Sequence, residues 1–200
     1  MAHKSLFDVV VLISGSGSNL QSIIDHADNI GIHIRCVISN KANAFGLQRA
    51  KKAGIQTLVI THQNFATREA FDQQLARNIR QFNPVLIILA GFMRILSAAF
   101  IAEFAGKILN IHPSLLPKFK GLNTHQRAID AGDSVAGATV HFVTNELDSG
   151  AIILQASVAI DADDNAKTLA NKVLKQEHQL YPKAIQQVLK TLQHNRATDQ

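Results

Sequence analysis

A chain of 200 residues, 46% of them hydrophobic, can bury one sizeable core and reads as a single domain over residues 1–200. One cysteine, Cys36, excludes a disulfide framework and fits a reducing compartment. A formal charge of +5 draws anions, but with no tryptophan and one tyrosine no aromatic and basic interleaving marks a nucleic-acid groove, so a solvated basic surface is the default and small phosphorylated or carboxylated substrates are the functional alternative.

No apolar stretch approaches the length of a membrane span. Lys4 does precede the apolar run Val9 to Ile13. That run is short for a signal peptide, however, and enters a Gly-Ser loop instead of a cleavage site. A cytoplasmic protein is expected.

Phe7 to Ile13 is a continuous apolar run, as in a parallel strand covered on both faces. Ser14-Gly-Ser-Gly-Ser-Asn19 follows, and Leu20, Ile23, Ile24 and Ala27 then recur at helical spacing. Strand, glycine loop and helix N-terminus form a phosphate-binding arrangement, because free N–H groups and the positive dipole end meet the anion. This is not a dinucleotide fingerprint. Leu20 stands where a third glycine belongs, and the second strand, Ile32 to Ser39, ends in Ser39-Asn40-Lys41 rather than an acid. A single phosphate is the expected ligand, and a tight turn without one is the alternative.

Gly46 to Ala53 reads as a short helix closed by Gly54, and Thr57 to Ile60 as a strand. Thr67 caps a helix running to about Phe82, with Phe71, Leu75 and Ile79 on one face. Pro84 opens the strongest strand, Val85 to Ala90, and Gly91-Phe-Met-Arg-Ile-Leu96 follows as an apolar loop. Such a loop either closes the core or lines a slot for a flat heterocycle. The alternation predicts a Rossmann-like, doubly wound, mostly parallel α/β sheet, whose ligands bind beyond the carboxyl ends of its strands.

Ile108, Leu109 and Ile111 form a short buried strand that carries Asn110 and His112 on one side, ahead of a loop fixed by Pro113 and Pro117. An amide and an imidazole so placed can polarise a carbonyl and stabilise an oxyanion. The plainer alternative is a strand leaving the core with both groups satisfied by backbone. After Gly121 the pattern changes. Ala138 to Val143, with His141 inserted, and Ala151 to Ile160 flank the polar turn Thr144 to Gly150, so the C-terminal part of the sheet is mixed. Asp163 or Asp164 caps a last helix with Leu169, Val173, Gln176 and Leu180 on one stripe. Pro182 interrupts it, and Ala184 to Leu192 continue as a kinked or separate helix.

Asn110-Ile-His-Pro-Ser-Leu-Leu-Pro-Lys-Phe-Lys-Gly121, with Ser14 to Asn19 and Glu146-Leu-Asp-Ser-Gly150, resembles the active-site motifs of the folate-dependent formyltransferases of purine biosynthesis. The resemblance runs from about Phe7 to Pro182. It implies a formyltransferase fold and transfer of the formyl group of 10-formyltetrahydrofolate to the amino group of glycinamide ribonucleotide, without a metal. Asn110, His112 and Asp148 carry over as the catalytic trio. Asn110 and His112 stabilise the tetrahedral oxyanion, Asp148 favours the imidazolium, and the proton reaches the departing folate nitrogen through His112 or a water held by Asp148.

Gly17, Ser18 and Asn19 carry over as the phosphate cradle, and Gln176 and Glu177 as contacts to the amine end of the ribonucleotide. On the folate side the resemblance implies Arg68 for the glutamate tail and Met93, Arg94, Ile95 and Leu96 for the pterin ring. Thr144, Asn145, Glu146 and Leu147 join Asn110 and Asp148 there. Read without the resemblance, Asp148 is a turn cap and Glu177 an exposed helical acid. Asn123-Thr-His125 lies in a loop and takes no role. Monomer and homodimer both fit.

Formyltetrahydrofolate deformylases share the trio but carry a second histidine where Pro113 stands, and an N-terminal regulatory domain. Methionyl-tRNA formyltransferases share His-Pro-Ser-Leu-Leu-Pro but lack the glycine loop and add a C-terminal β domain. Neither pattern is expected here. A non-catalytic nucleotide-binding regulator is the reading from another class, and the intact trio argues against it.

Overall fold

A computed structural model of the chain describes residues 6–198, with side chains described through residue 194. The apolar runs become strands and the 3.6-residue stripes become helices. In chain order these are β1 Phe7–Ile13, α1 Ser18–Ile30, β2 Ile32–Ser39, α2 Gly46–Lys52, β3 Thr57–Val59, α3 Arg68–Arg80 and β4 Leu86–Leu89. Then come α4 Ala98–Glu103, β5 Ile108–His112, α5 Thr124–Asp130, β6 Val135–Phe142, β7 Ile152–Ala159 and α6 Ala166–Thr198. The strand order is β3-β2-β1-β4-β5-β6-β7. Pairing is parallel for β1 with β2, β1 with β4 and β2 with β3, and antiparallel for β6 with β7. This is the mostly parallel sheet with a mixed C-terminal end that the alternation of motifs predicts.

The chain divides into two compact units that meet in sequence at Leu109 and Asn110, inside β5. In the first unit, Val9, Val10, Val11, Leu12 and Ile13 of β1 are all 0% exposed, as a central parallel strand requires. α1 and α2 pack on each other and on β2, and α3 packs on α4. Burial of Leu20 and Ile23, each worth about 1.5–3 kcal/mol, fixes the face of α1 that turns inward. Thr67 does cap α3, accepting from the Ala70 N–H at 3.1 Å. The expected strand at Val85 to Ala90 is confined to Leu86–Leu89. The short α4, capped by Ser97, was not legible in the pattern. Burial pushes the Cys36 thiol up to about 11, so it is no nucleophile at neutral pH.

In the second unit α6 packs on β6, β7 and α5. Three expectations are corrected there. Asn123-Thr-His125 is not a loop: Asn123, at φ 57, caps α5, which begins at Thr124. The cap of α6 is Asn165, whose Oδ1 accepts from the Lys167 and Thr168 N–H groups at 2.9 and 3.1 Å. Asp164 instead accepts from the Asp161 N–H and from Lys172 Nζ, while Asp163 is not the cap either. Pro182 lies inside one continuous helix. Losing a hydrogen bond and crowding the preceding turn costs about 3 kcal/mol. Burial of Leu169 and Val173 before the proline, and of Tyr181, Ile185 and Leu189 around and after it, outweighs that at about 1.5–3 kcal/mol each.

Candidate active site

In the first unit the glycine loop turns from β1 into α1. Gly17 is the N-cap, at φ 70, and the Gln21 N–H already bonds to its carbonyl at 2.9 Å. The N–H groups of the first turn are thereby aimed out of the helix. A Cβ on Gly17 would stand 2.5 Å from the Gly46 Cα, and one on Gly46 would stand 2.6 Å from Ile13 Cδ1. Two glycines therefore let the start of α2 lie against the loop, where the Gly46 N–H donates to Gly15 O at 3.0 Å. Arg49 adds Nε–H to Ser16 O at 3.0 Å, with its guanidinium over the Phe45 ring. The loop, Lys41, Ala90, Gly91 and Met93 line a cavity of about 270 Å³.

Ser14 ties that loop to the segment after β4. Its hydroxyl donates to Asn40 Oδ1 at 2.6 Å and accepts from the Met93 N–H at 2.8 Å. Met93 and Ile95 are 68% and 60% exposed, costly positions for apolar side chains unless something covers them. Arg94 stacks over Phe71, and Leu96 is buried. Behind them the Ser97 N–H donates to Asp72 Oδ2 at 2.6 Å. Burial pushes the Asp72 carboxyl above its ordinary range, only partly offset by Ser97 and by the Arg94 and Arg68 cations. Arg68 itself is exposed at the start of α3.

In the second unit β5 delivers Asn110 and His112, and the β6–β7 connection delivers Asp148. His112 Nδ1 lies 3.3 Å from Asp148 Oδ2, the two side chains 7% and 8% exposed. His112 Nε2 lies 2.9 Å from Phe119 O. Both ring nitrogens thus face atoms that only accept. Asp148, at φ 46, also takes the Gly121 N–H on Oδ2 at 2.9 Å. Burial pushes its carboxyl up. The neighbouring His141, the Gly121 amide and the His112 charge outweigh that and hold it below its ordinary value.

Two loops are bound together to make this geometry. Lys120 Nζ donates to Glu146 Oε1 at 3.2 Å and to the Ser149 hydroxyl. Thr139 Oγ1 donates to Ser114 O at 2.6 Å and accepts from the Leu116 N–H at 3.0 Å, which fixes the start of the proline loop. Gly150 leaves room for the Phe142 carbonyl, which any Cβ there would strike. Leu147 is 50% exposed, and Thr144, Asn145 and Glu146 lie at the surface of the same turn.

Glu177 departs from its plain reading: it is buried on α6, not exposed, while Gln176 beside it is half-buried. The buried stripe runs Leu169, Val173, Glu177, Leu180, passing through Glu177 and not, as the spacing predicts, through Gln176, and an acid three residues before Leu180 was the available signal. His141 and His125 were passed over in the sequence. His141 Nε2 is 3.3 Å from Asn110 Nδ2. Burial, and then the His112 charge, lower the His125 pKa. Among the described residues no cluster of His, Cys, Asp and Glu is placed to hold a metal ion, and no helix is long and apolar enough to cross a membrane.

Residues 7–185 match the formyl transferase family. The chain is 52% identical over 180 residues to phosphoribosylglycinamide formyltransferase of Escherichia coli K12, covering 89% of this chain and 85% of that one. Its identity to phosphoribosylglycinamide formyltransferase of Haemophilus influenzae is 51% over 179 residues, 88% of this chain and 84% of the other. The solved structure of phosphoribosylglycinamide formyltransferase from Coxiella burnetii superposes with a TM-score of 0.87 at 47% identity, over 90% of this chain and 86% of that one.

Proposed function

The chain belongs to the formyl transferase family, and on that premise we propose that Asn110, His112 and Asp148 carry its chemistry. The activity is transfer of the formyl group of 10-formyltetrahydrofolate to the amino group of glycinamide ribonucleotide, a step of purine biosynthesis. The family match runs across both compact units, which supports reading them as one catalytic domain. The enzyme works in the cytoplasm, as a monomer or homodimer.

One observation carries the residue assignment: the buried His112–Asp148 pair, with acceptors at both imidazole nitrogens. Asp148 and the Phe119 carbonyl hold the ring as a cation. Handing the Nε2–H from Phe119 O to the formyl oxygen places a charged donor where negative charge develops. Asn110 gives the neutral second donor. The substrate amine bonds to the formyl carbon, the bond from that carbon to the folate nitrogen breaks, and the proton lost by the amine reaches that nitrogen through His112 or a water held by Asp148.

Gly17, Ser18 and Asn19 bind the phosphate, with Gln176 and Glu177 at the amine end of the same substrate. Met93, Arg94, Ile95 and Leu96 frame the pterin, with Thr144, Asn145, Glu146 and Leu147 on the same ligand and Arg68 at its glutamate tail. Exposed Met93 and Ile95 support this reading, since a flat heterocycle would cover them. Ile95→Asp is expected to weaken a folate analogue about 100-fold or more, because binding would bury an unpaired carboxylate. Calorimetry with glycinamide ribonucleotide should register little change, and an unaltered folate affinity would put the heterocycle elsewhere.

The activity is checked by incubating the protein with 10-formyltetrahydrofolate, with and without glycinamide ribonucleotide, and following tetrahydrofolate release. Release that needs the ribonucleotide is the expected result. Release at the same rate with water alone would make the protein a deformylase.

A further inference from the structure

His141 has no part in the reaction as described, yet it is 2% exposed and lies against Asn110. It lies on β6, where the pairing with β7 skips Ile153 between Val140 and His141. Its Nδ1 is 2.8 Å from Phe142 O. A carbonyl only accepts, so Nδ1 carries the proton, and in the Nδ1–H tautomer Nε2 presents a lone pair. That Nε2 is 3.3 Å from Asn110 Nδ2 and 3.6 Å from Asp148 Oδ1. The second separation is too long for a hydrogen bond and makes an ion pair only with a ring that carries a second proton, and Asp148 Oδ2 is already engaged by Gly121 and His112.

An asparagine amide has donors at one end and an acceptor at the other, and its own bonding does not choose which end faces a neighbour. A lone pair makes the choice, because only the NH₂ can stand against it. We propose that His141 is a positioning residue: its Nε2 accepts one N–H of Asn110, which locks the amide and leaves the second N–H for the oxyanion. With the amide turned over, Asn110 would set its carbonyl oxygen against the His141 lone pair and offer the oxyanion no donor from that end. The proposal rests on the reading of Asn110 as an oxyanion donor.

The test measures kcat, KM for both substrates and the thermal midpoint for His141→Leu, His141→Gln, Asn110→Ala and the His141→Leu/Asn110→Ala pair. His141→Leu is expected to lose on the order of 10²-fold in kcat, the scale of one oxyanion donor, with KM changed less than about threefold. His141→Gln should recover most of that, since Gln Oε1 accepts the same N–H. On top of Asn110→Ala, His141→Leu should cost nothing further, because there is no amide left to orient. Should Leu fail to fold at this buried site, His141→Met removes the acceptor with a more pliant side chain. A loss that persists undiminished in the Asn110→Ala background, or that Gln does not recover, overturns the proposal and leaves His141 a packing residue. Wild-type turnover in Asn110→Ala alone would overturn the assignment of Asn110 itself, so the two failures are distinguishable.

Discussion

Asp148→Asn is expected to lower turnover by on the order of 10²–10³, with substrate affinities changed only a few fold. Asn keeps the size of the side chain, an oxygen for the Gly121 N–H, and easy access to the left-handed backbone at φ 46. What it removes is the charge 3.3 Å from His112 Nδ1. A neutral imidazole then donates from one nitrogen only, and the charge-assisted bond to the oxyanion is lost. Ground-state binding suffers little, because the oxyanion exists only near the transition state.

The same substitution has a pH signature. The Asp148 carboxyl is held below its ordinary value, so its contribution to stability is present above the unfolded-state pKa and fades as pH falls through the lower folded one. Asp148→Asn should flatten that acid-side decline in unfolding experiments. Near-normal turnover together with an unchanged acid limb would leave Asp148 a turn residue.

Gly17→Ala should raise the KM for glycinamide ribonucleotide about 100-fold while the affinity for a folate analogue holds. Strain and clash together of about 3 kcal/mol correspond to that factor. Gly17 sits at φ 70, where a Cβ is disfavoured, and the added carbon would come 2.5 Å from the Gly46 Cα. The obstruction is therefore the protein's own backbone as well as the phosphate. Gly46 cannot yield easily, with Ile13 behind it and its N–H bonded to Gly15 O. The loop must shift, and the N–H groups of Ser18 and Asn19 move with it. Calorimetry on the two ligands, beside a melting curve, checks the result. Equal weakening of both ligands in a folded variant would remove the phosphate from this loop.

Much of this was legible in the sequence, for physical reasons tied to particular residues. Val9 to Ile13 had to be a central strand because an uninterrupted apolar run can be covered only on both faces, and 3.6-residue spacing set α1 and α3. Asn110 and His112 could be read as neighbours because a strand alternates its side chains. Three local expectations failed where longer-range forces won. Pro182 did not end α6, because core burial on both sides exceeds one lost hydrogen bond. Asn123 opens a helix rather than continuing a loop. Glu177 is buried because the apolar stripe of α6 passes through it.

By itself, then, the sequence determined most of the strand and helix order, the glycine turn and the pairing of Asn110 with His112 on one side of a strand, since these follow from periodicity and local backbone chemistry, while Asp148 was singled out only by the resemblance. Only the tertiary structure decided which partners those side chains meet. Asp148 reaches His112 because Gly121 and Lys120 tie one loop to another some 26 to 29 residues away. His141 reaches Asn110 from a different strand, 31 residues along the chain. Such contacts join residues with no fixed spacing, and the forces that choose among them, burial and hydrogen-bond satisfaction, act only once the chain has closed on itself.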